Sequence, residues 1–178
     1  MDIPVQGGGL AFAAARMEIE YLRRRYARAC DLICQNSAES MTAGTVIFRQ
    51  IFTPDAEIIV SIDDEIVLRG SGPEEWARIV FEALCNTFEA TQHLIGTQLV
   101  DILSLPGDDD GSGKAVMSSY LQAWHARANG VLDIFIGTYH DQVQFTKGLG
   151  WQISHMRLVR TSGEVREMDA GTASFLVS

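Results

Sequence analysis

Apolar residues recur at spacings of three and four in the first third of the chain and at spacings of two in its second half. Over 10–35, Ile19, Leu22, Tyr26, Ala29 and Ile33 share one helical face. Asn36-Ser37 breaks that pattern. Asn36, with Glu39 three residues on, predicts the cap of a second helix carried by Met41, Thr45, Phe48 and Ile51. Thr53-Pro54-Asp55 ends it, because proline restricts the residue before it and brings no N–H to a helical bond. Residues 57–62 and 65–69 are short, apolar and β-branched, which predicts a hairpin about Asp63-Asp64. Ser71-Gly72-Pro73-Glu74 has the form of a capping box with a first-turn proline. It predicts a third helix that buries Trp76, Val80, Leu84 and Phe88. Four longer strands follow over 91–105, 114–128, 131–145 and 151–160, with the Asn129-Gly130 turn joining the middle pair.

The order ααββαββββ predicts an α+β domain, a curved antiparallel sheet wrapped over three helices. It occupies 10–160, between a Gly-rich leader at 1–9, expected to be flexible, and a tail at 161–178 without clear period. There is no strand–helix alternation, and no GxGxxG or P-loop on a strand-to-helix turn. Dinucleotide and nucleotide-triphosphate readings therefore drop out. A two-residue turn at Asn129-Gly130 would set Tyr120 opposite Tyr139 and Trp124 opposite Phe135. A similar turn at Gly148-Leu149 adds Met156 and Leu158 to their face. That aromatic face, with Val116 and Val143, is expected under the helices, and His125, His140, Gln142, Gln144, His155 and Arg157 on the other.

Composition narrows the class. At 178 residues, 47% hydrophobic and 21% charged, the chain has one domain's length and a globular balance. A net charge of −9 argues against a nucleic-acid partner, whose phosphates call for a basic face. No apolar run approaches the ~18 residues of a membrane-spanning helix. The leader carries Asp2 and no Lys or Arg, so it does not read as a secretory signal. Three cysteines, an odd number, fit a reducing compartment, and a cytoplasmic location is expected.

Candidate chemistry is sparse. No two of His93, His125, His140 and His155 have metal-ligand spacing on one short element, and no HExxH or CxxC occurs, so no metal is expected. In Asp108-Asp109-Asp110-Gly111 the acids are consecutive and no Glu closes a calcium frame, which leaves a solvated hairpin loop. Cys30, Cys34 and Cys85 read as small core residues. Alternation puts His93 with Ile95, Thr97 and Leu99, so it is either a satisfied core residue or a buried general base. Asp31 falls in the last turn of the first helix, where an exposed acid opposes the macrodipole at a cost of ~0.3–1 kcal/mol. It is either solvated or partnered. Tyr26 lies five residues before it, about 140° around the helix. The two share a pocket only if the helix is enclosed on several sides.

The segment Tyr26-Ala-Arg-Ala-Cys-Asp31 resembles the Y-x-x-x-x-D of the SnoaL-like branch of the nuclear transport factor 2-like (cystatin-like, cone-shaped) superfamily. Ile51-Phe-Thr-Pro-Asp-Ala56, Gly70-Ser-Gly-Pro-Glu74 and Thr91-Gln-His93 with Gly96 are similar to motifs of that family. So are Gly137-Thr-Tyr-His-Asp141 and Gly150-Trp-Gln-Ile-Ser154, and all occur in the family's order over about 10–160. Members include cofactor-free lyases and isomerases: scytalone dehydratase, bile acid 7α-dehydratase, a hexachlorocyclohexane dehydrochlorinase and polyketide cyclases. The resemblance implies a His93–Asp31 dyad, with Tyr26 hydrogen-bonding the substrate and no cofactor. It implies general acid/base chemistry on a small apolar ring compound in a cavity lined by Tyr120, Trp124, Tyr139 and Met156, with a homodimer or homotrimer as the assembly. Met156 stands where the dehydrochlorinase has an arginine, and Thr97 where the family usually has Asn. The family also holds non-catalytic ligand-binding and scaffold proteins, such as small subunits of ring-hydroxylating dioxygenases, whose cone would be filled.

Overall fold

The computed structural model describes residues 9–107, 111–128 and 130–167. In chain order the elements are α1 (Leu10–Ile33), α2 (Ala38–Ile51), β1 (Phe52–Ile62), β2 (Glu65–Ser71), α3 (Gly72–Leu84), β3 (Ala90–Ser104), β4 (Gly113–Ala126), β5 (Val131–Thr146) and β6 (Gly150–Glu167). This is the expected α+β order. The leader (Gly9 apart), the Asp108-Asp109-Asp110 loop and Asn129 lie outside the described residues.

The strands form one sheet in the order β2-β1-β6-β5-β4-β3. Neighbours are antiparallel except β1 and β6, so the sheet is mixed where a wholly antiparallel one was expected. Residues 161–167, expected in the tail, instead continue β6, which pairs with β5 as far as Val131↔Glu167, and 168–178 lie outside the described residues. Almost all of that extension is exposed, so no buried face imposes an alternation that the sequence could show.

Local chemistry sets the helix boundaries. α2 is capped by Ser37: its Oγ accepts from Ser40 N at 3.0 Å, and Ser40 Oγ accepts from Ser37 N at 3.1 Å. Asn36, expected as the cap, instead takes a φ of 56° just beyond α1. At α3 the expected Ser71–Glu74 box does not form: Glu74 accepts from Arg49 Nε at 2.6 Å, and the Glu75 carboxylate accepts from Ser71 N at 2.8 Å. α1 packs on β3, β4 and β6 and is flanked by α2 and α3. Gly44 permits its close crossing with α2, since a Cβ there would lie 2.5 Å from Ile33 Cγ1.

Two shifts of register decide what faces α1. The β4–β5 connection takes three residues: Arg127 N donates to Val131 O at 2.8 Å, and Ala126 pairs with Leu132. Tyr120 therefore opposes Thr138, and Trp124 opposes Ile134. One residue of slip turns over every β4 side chain. Met117, Leu121, Ala123 and His125 are buried, whereas Val116, Tyr120 and Trp124, expected under the helices, are exposed on the outer face. β5 and β6 keep their expected faces, with Tyr139, Val143, Met156 and Leu158 buried. In β3 a bulge between Gly96 and Leu99 carries Thr97 at a φ of 42°. Ahead of it His93 and Ile95 are more buried than their neighbours. Beyond it the buried set is Val100 and Ile102, and Thr97 and Leu99 are exposed.

Candidate active site

The last turn of α1 passes over the start of β3, which brings Asp31 to His93. Asp31 Oδ1 lies 2.7 Å from His93 Nδ1 and accepts from Thr91 Oγ1 at 3.0 Å, while Oδ2 accepts from His93 N at 3.3 Å. Three donors thus offset the unfavourable position of an acid at a helix C-terminus. The His93 side chain is 7% exposed and that of Asp31 18%. A carboxylate at Nδ1 holds the proton there and leaves the Nε2 lone pair as the basic site.

The His93 ring forms part of the wall of a cavity of about 120 Å³ between sheet and helices. Tyr26 and Cys30 come to it from α1, Trp76, Val80, Ala83 and Leu84 from α3, and Leu121, Ala123, His125 and Tyr139 from the sheet. Tyr26 lines the cavity itself, whereas Asp31 reaches it only through His93. Tyr26 lies on the α2 side, stacked on Phe48 at 5.5 Å, and Asp31 lies behind His93. The Tyr26 oxygen accepts from Trp76 Nε1 at 3.2 Å, and its hydroxyl is also the hydrogen-bonding neighbour of the Cys30 thiol.

Of the expected lining residues, Tyr26 and Tyr139 are at the cavity and Tyr120, Trp124 and Met156 are not. Tyr120 and Trp124 are on the outer face, where Trp124 borders a groove with Arg28, Asp31 and Thr91. Met156 lies buried below the cavity, its Sδ 3.3 Å from Nη1 of Arg23. Arg23 in turn pairs with Asp141 on β5.

His125, read on the outer face, takes the place expected of the β4 aromatics. Its ring lies 5.7 Å from that of His93 and stacks on Phe88 at 4.7 Å, and its Nε2 is buried without a partner among the described residues. Burial, with His93 nearby, pushes its pKa down to about 4, so it is neutral at pH 7. One signal in the sequence points to this register. The other β4 face would bury Lys114 and Gln122, whereas this one buries Ala115, Met117, Leu121 and Ala123. Burial raises Tyr26 and Tyr139 and pushes the Cys30 thiol up to about 12, which makes it an unreactive thiol. Among the described residues no group of three His, Cys, Asp or Glu side chains is placed to hold a metal.

The arrangement thus offers a carboxylate-held imidazole, a phenol donor and a neutral second imidazole around a small apolar space, on a cone-like α+β frame. The model of the SnoaL-like domain matches residues 11–157, and the chain belongs to that family. Its fold is similar to a scytalone dehydratase-like protein from Novosphingobium aromaticivorans DSM 12444, at 17% identity and a TM-score of 0.66 over 90% of this chain and 93% of that one. It is similar to the hexachlorocyclohexane dehydrochlorinase LinA-type3 from Novosphingobium barchaimii LL02, at 13% identity and 0.65 over 88% and 93%. A nuclear transport factor 2-like superfamily protein from Salmonella enterica matches at 18% identity and 0.57 over 90% and 97%. No curated protein matches the sequence. Among the described residues no helix is long and apolar enough to cross a membrane.

Proposed function

We propose that this protein is a cofactor-independent lyase or isomerase that acts on a small apolar ring compound by general acid/base catalysis, with His93 as the base. The observation that carries this reading is the 2.7 Å Asp31–His93 contact on the wall of an apolar cavity. An imidazole is well matched to proton transfer near neutral pH. His93 Nε2 takes a proton from a carbon next to an electron-withdrawing group, and Asp31 stabilises the imidazolium formed. Tyr26 donates to the oxyanion or the leaving group. The proton then departs with that group in an elimination, or returns to another carbon in an isomerisation. A cavity of about 120 Å³ suits a single ring: an apolar cavity of ~150 Å³ takes up benzene. A filled cone, as a purely structural subunit would have, is not what these residues enclose.

The reading extends to assembly. Leu94, Leu99, Tyr120, Trp124 and Ile136 are exposed on the outer sheet face, where Asp101 on β3 and Arg157 on β6 offer opposite charges. A second copy of this chain, turned about a twofold axis, matches both features, and a sedimentation mass of one chain would count against it.

The test is a screen of hydroxylated, halogenated and keto alicyclic compounds for loss of water or acid, or for isomerisation, with wild type and His93→Ala side by side. Acid–base help contributes ~10²–10⁴-fold, so His93→Ala should lose at least that much turnover while its melting curve and ligand binding stay near wild type. Activity untouched by His93→Ala would refute the mechanism. Tight binding without conversion would make the protein a binding module.

A further inference from the structure

The chemistry above makes no use of an ion pair buried just behind the cavity. Arg23, three residues before Tyr26 on α1, pairs through Nη2 with Oδ1 of Asp141, and both side chains are 0% exposed. Arg23 Nε and Asp141 Oδ2 are buried without hydrogen-bond partners among the described residues. Stability does not explain such a pair. Taking both charges out of water costs about as much as their attraction returns, and apolar replacements are often at least as stable.

What the guanidinium faces is more informative. Its central carbon lies 3.8 Å from the ring centroid of Tyr139 and 4.6 Å from that of Tyr26. Both tyrosines line the cavity with His93, and they meet edge to face at 5.7 Å. No Lys, Arg, Asp or Glu among the described residues lines that cavity. Negative charge arising on a bound molecule therefore meets only the imidazolium formed at His93 in the wall, and at the Tyr26 end it has a fixed cation one aromatic ring behind it.

We propose that Arg23 is a positioning residue for the Tyr26 end of the site. It holds the Tyr26 and Tyr139 rings against the cavity and projects its positive charge, through them, onto negative charge that develops on the substrate. This rests on His93 being the base, since it is removal of the carbon-bound proton that leaves electron density for Tyr26 to receive. In a water-poor site a fixed cation acts with little screening and needs no reorganisation as the charge appears. Asp141 fixes the position of the guanidinium through this ion pair. The direction agrees with the tyrosine's own acidity: burial makes Tyr26 reluctant to ionise, and Arg23 acts against that.

The test uses 4-nitrophenol, whose neutral and ionised forms differ in absorbance, bound to the full-length protein at a fixed pH near neutrality. Wild type should raise the phenolate-to-phenol ratio of the bound probe above that in free solution. The double variant Arg23→Met/Asp141→Leu keeps the core filled, and its ratio should fall ~10-fold. Asp141→Asn keeps the cation and removes its counter-charge, so its ratio should rise above wild type. On any substrate the screen yields, the double variant should lose ~10-fold or more in kcat, with KM within ~2-fold. A merely structural pair would move neither ratio.

Folded variants with the wild-type ratio overturn the proposal, as does a wild type that binds the probe neutral or not at all. If the double variant does not fold, Asp141→Asn decides alone, and an unchanged ratio overturns the proposal. His93→Ala separates the two readings. Turnover that survives it, together with ratios that move as described, removes His93 as the base and leaves the Arg23 effect standing.

Discussion

Thr97 holds its backbone at a φ of 42°, in the left-handed region. For an L-residue that region costs ~1–2 kcal/mol, because Cβ crowds the carbonyl oxygen, and β-branching adds to the crowding. The side chain is exposed, so exchanging it forfeits little packing. Asn enters this region several-fold more readily, which at RT ln of ~3–5 is ~0.6–1 kcal/mol. Thr97→Asn should therefore stabilise the protein by ~1 kcal/mol, or ~2–4 °C in Tm for a chain of this size. Thr97→Gly relieves more strain but gives back ~0.5–1 kcal/mol through its freer unfolded chain, so it should not exceed Asn. Thr97→Val keeps the branching and should gain nothing. Thermal melts by circular dichroism, with urea midpoints as a check, measure all three. An Asn variant that melts below wild type, or a Val variant that matches Asn, refutes the argument. The position matters beyond stability, because this bulge changes which β3 residues turn inward after His93 and Ile95. It also gives a backbone reason for the Asn that the SnoaL-like pattern has where this chain has Thr97.

Three further outcomes follow. Asp31→Asn removes the carboxylate that fixes the His93 tautomer. Nitrogen-15 correlation spectra should show a single Nδ1-protonated ring in wild type and a tautomer mixture in the variant, whose turnover should fall ~100-fold or more. His125 is neutral when folded down to a pKa of about 4, whereas the unfolded chain takes its proton near 6.5. Its contribution is therefore intact above pH 6.5 and lost as pH falls from 6.5 towards 4, by ~3 kcal/mol in all. His125→Phe should flatten that part of a Tm-against-pH curve. Gly44→Ala forces a methyl against Ile33 and the Ala29 carbonyl, where the free approach is 2.5 and 3.0 Å. It should cost ~1–3 kcal/mol in urea unfolding, with no change in ligand binding by the folded fraction.

Element order was legible because each element carries its own period and punctuation, as α1 does at Ile19, Leu22, Tyr26 and Ile33. Facing on β4 was misread because it was inferred from the connection rather than from the polar Lys114 and Gln122 on the face taken as buried. Asn129-Gly130 suggests a two-residue turn, and the third residue in that connection is set by how the β4–β5 ladder closes, which local sequence does not encode. Tyr120, Trp124 and His125 all changed sides with it. His93 and Asp31 escaped this error because each is placed by α1 and the start of β3, ahead of the bulge. Arg23 stands in the run Arg23-Arg24-Arg25 and was not singled out in the sequence. Its position four residues after Ile19 and three before Tyr26 puts it on the buried face, but its counter-charge comes from β5, more than a hundred residues away. The pairing of β1 with β6 is likewise a long-range event with no local mark.

The site is divided between two kinds of wall. Arg23, Tyr26 and Asp31 belong to one continuous helix, so inserting or deleting a single residue between them would swing part of the set by ~100° and dismantle the whole arrangement at once. The facing wall, Leu68 of β2 with Val80, Ala83 and Leu84 of α3, bears no ionisable group and sets only the outline of the space. Variation can accumulate there one side chain at a time without disturbing the proton chemistry. Descendants of this chain that come to accept new molecules should therefore carry their changes on α3 and β2, with the spacing of the acid, the tyrosine and the arginine along α1 held fixed.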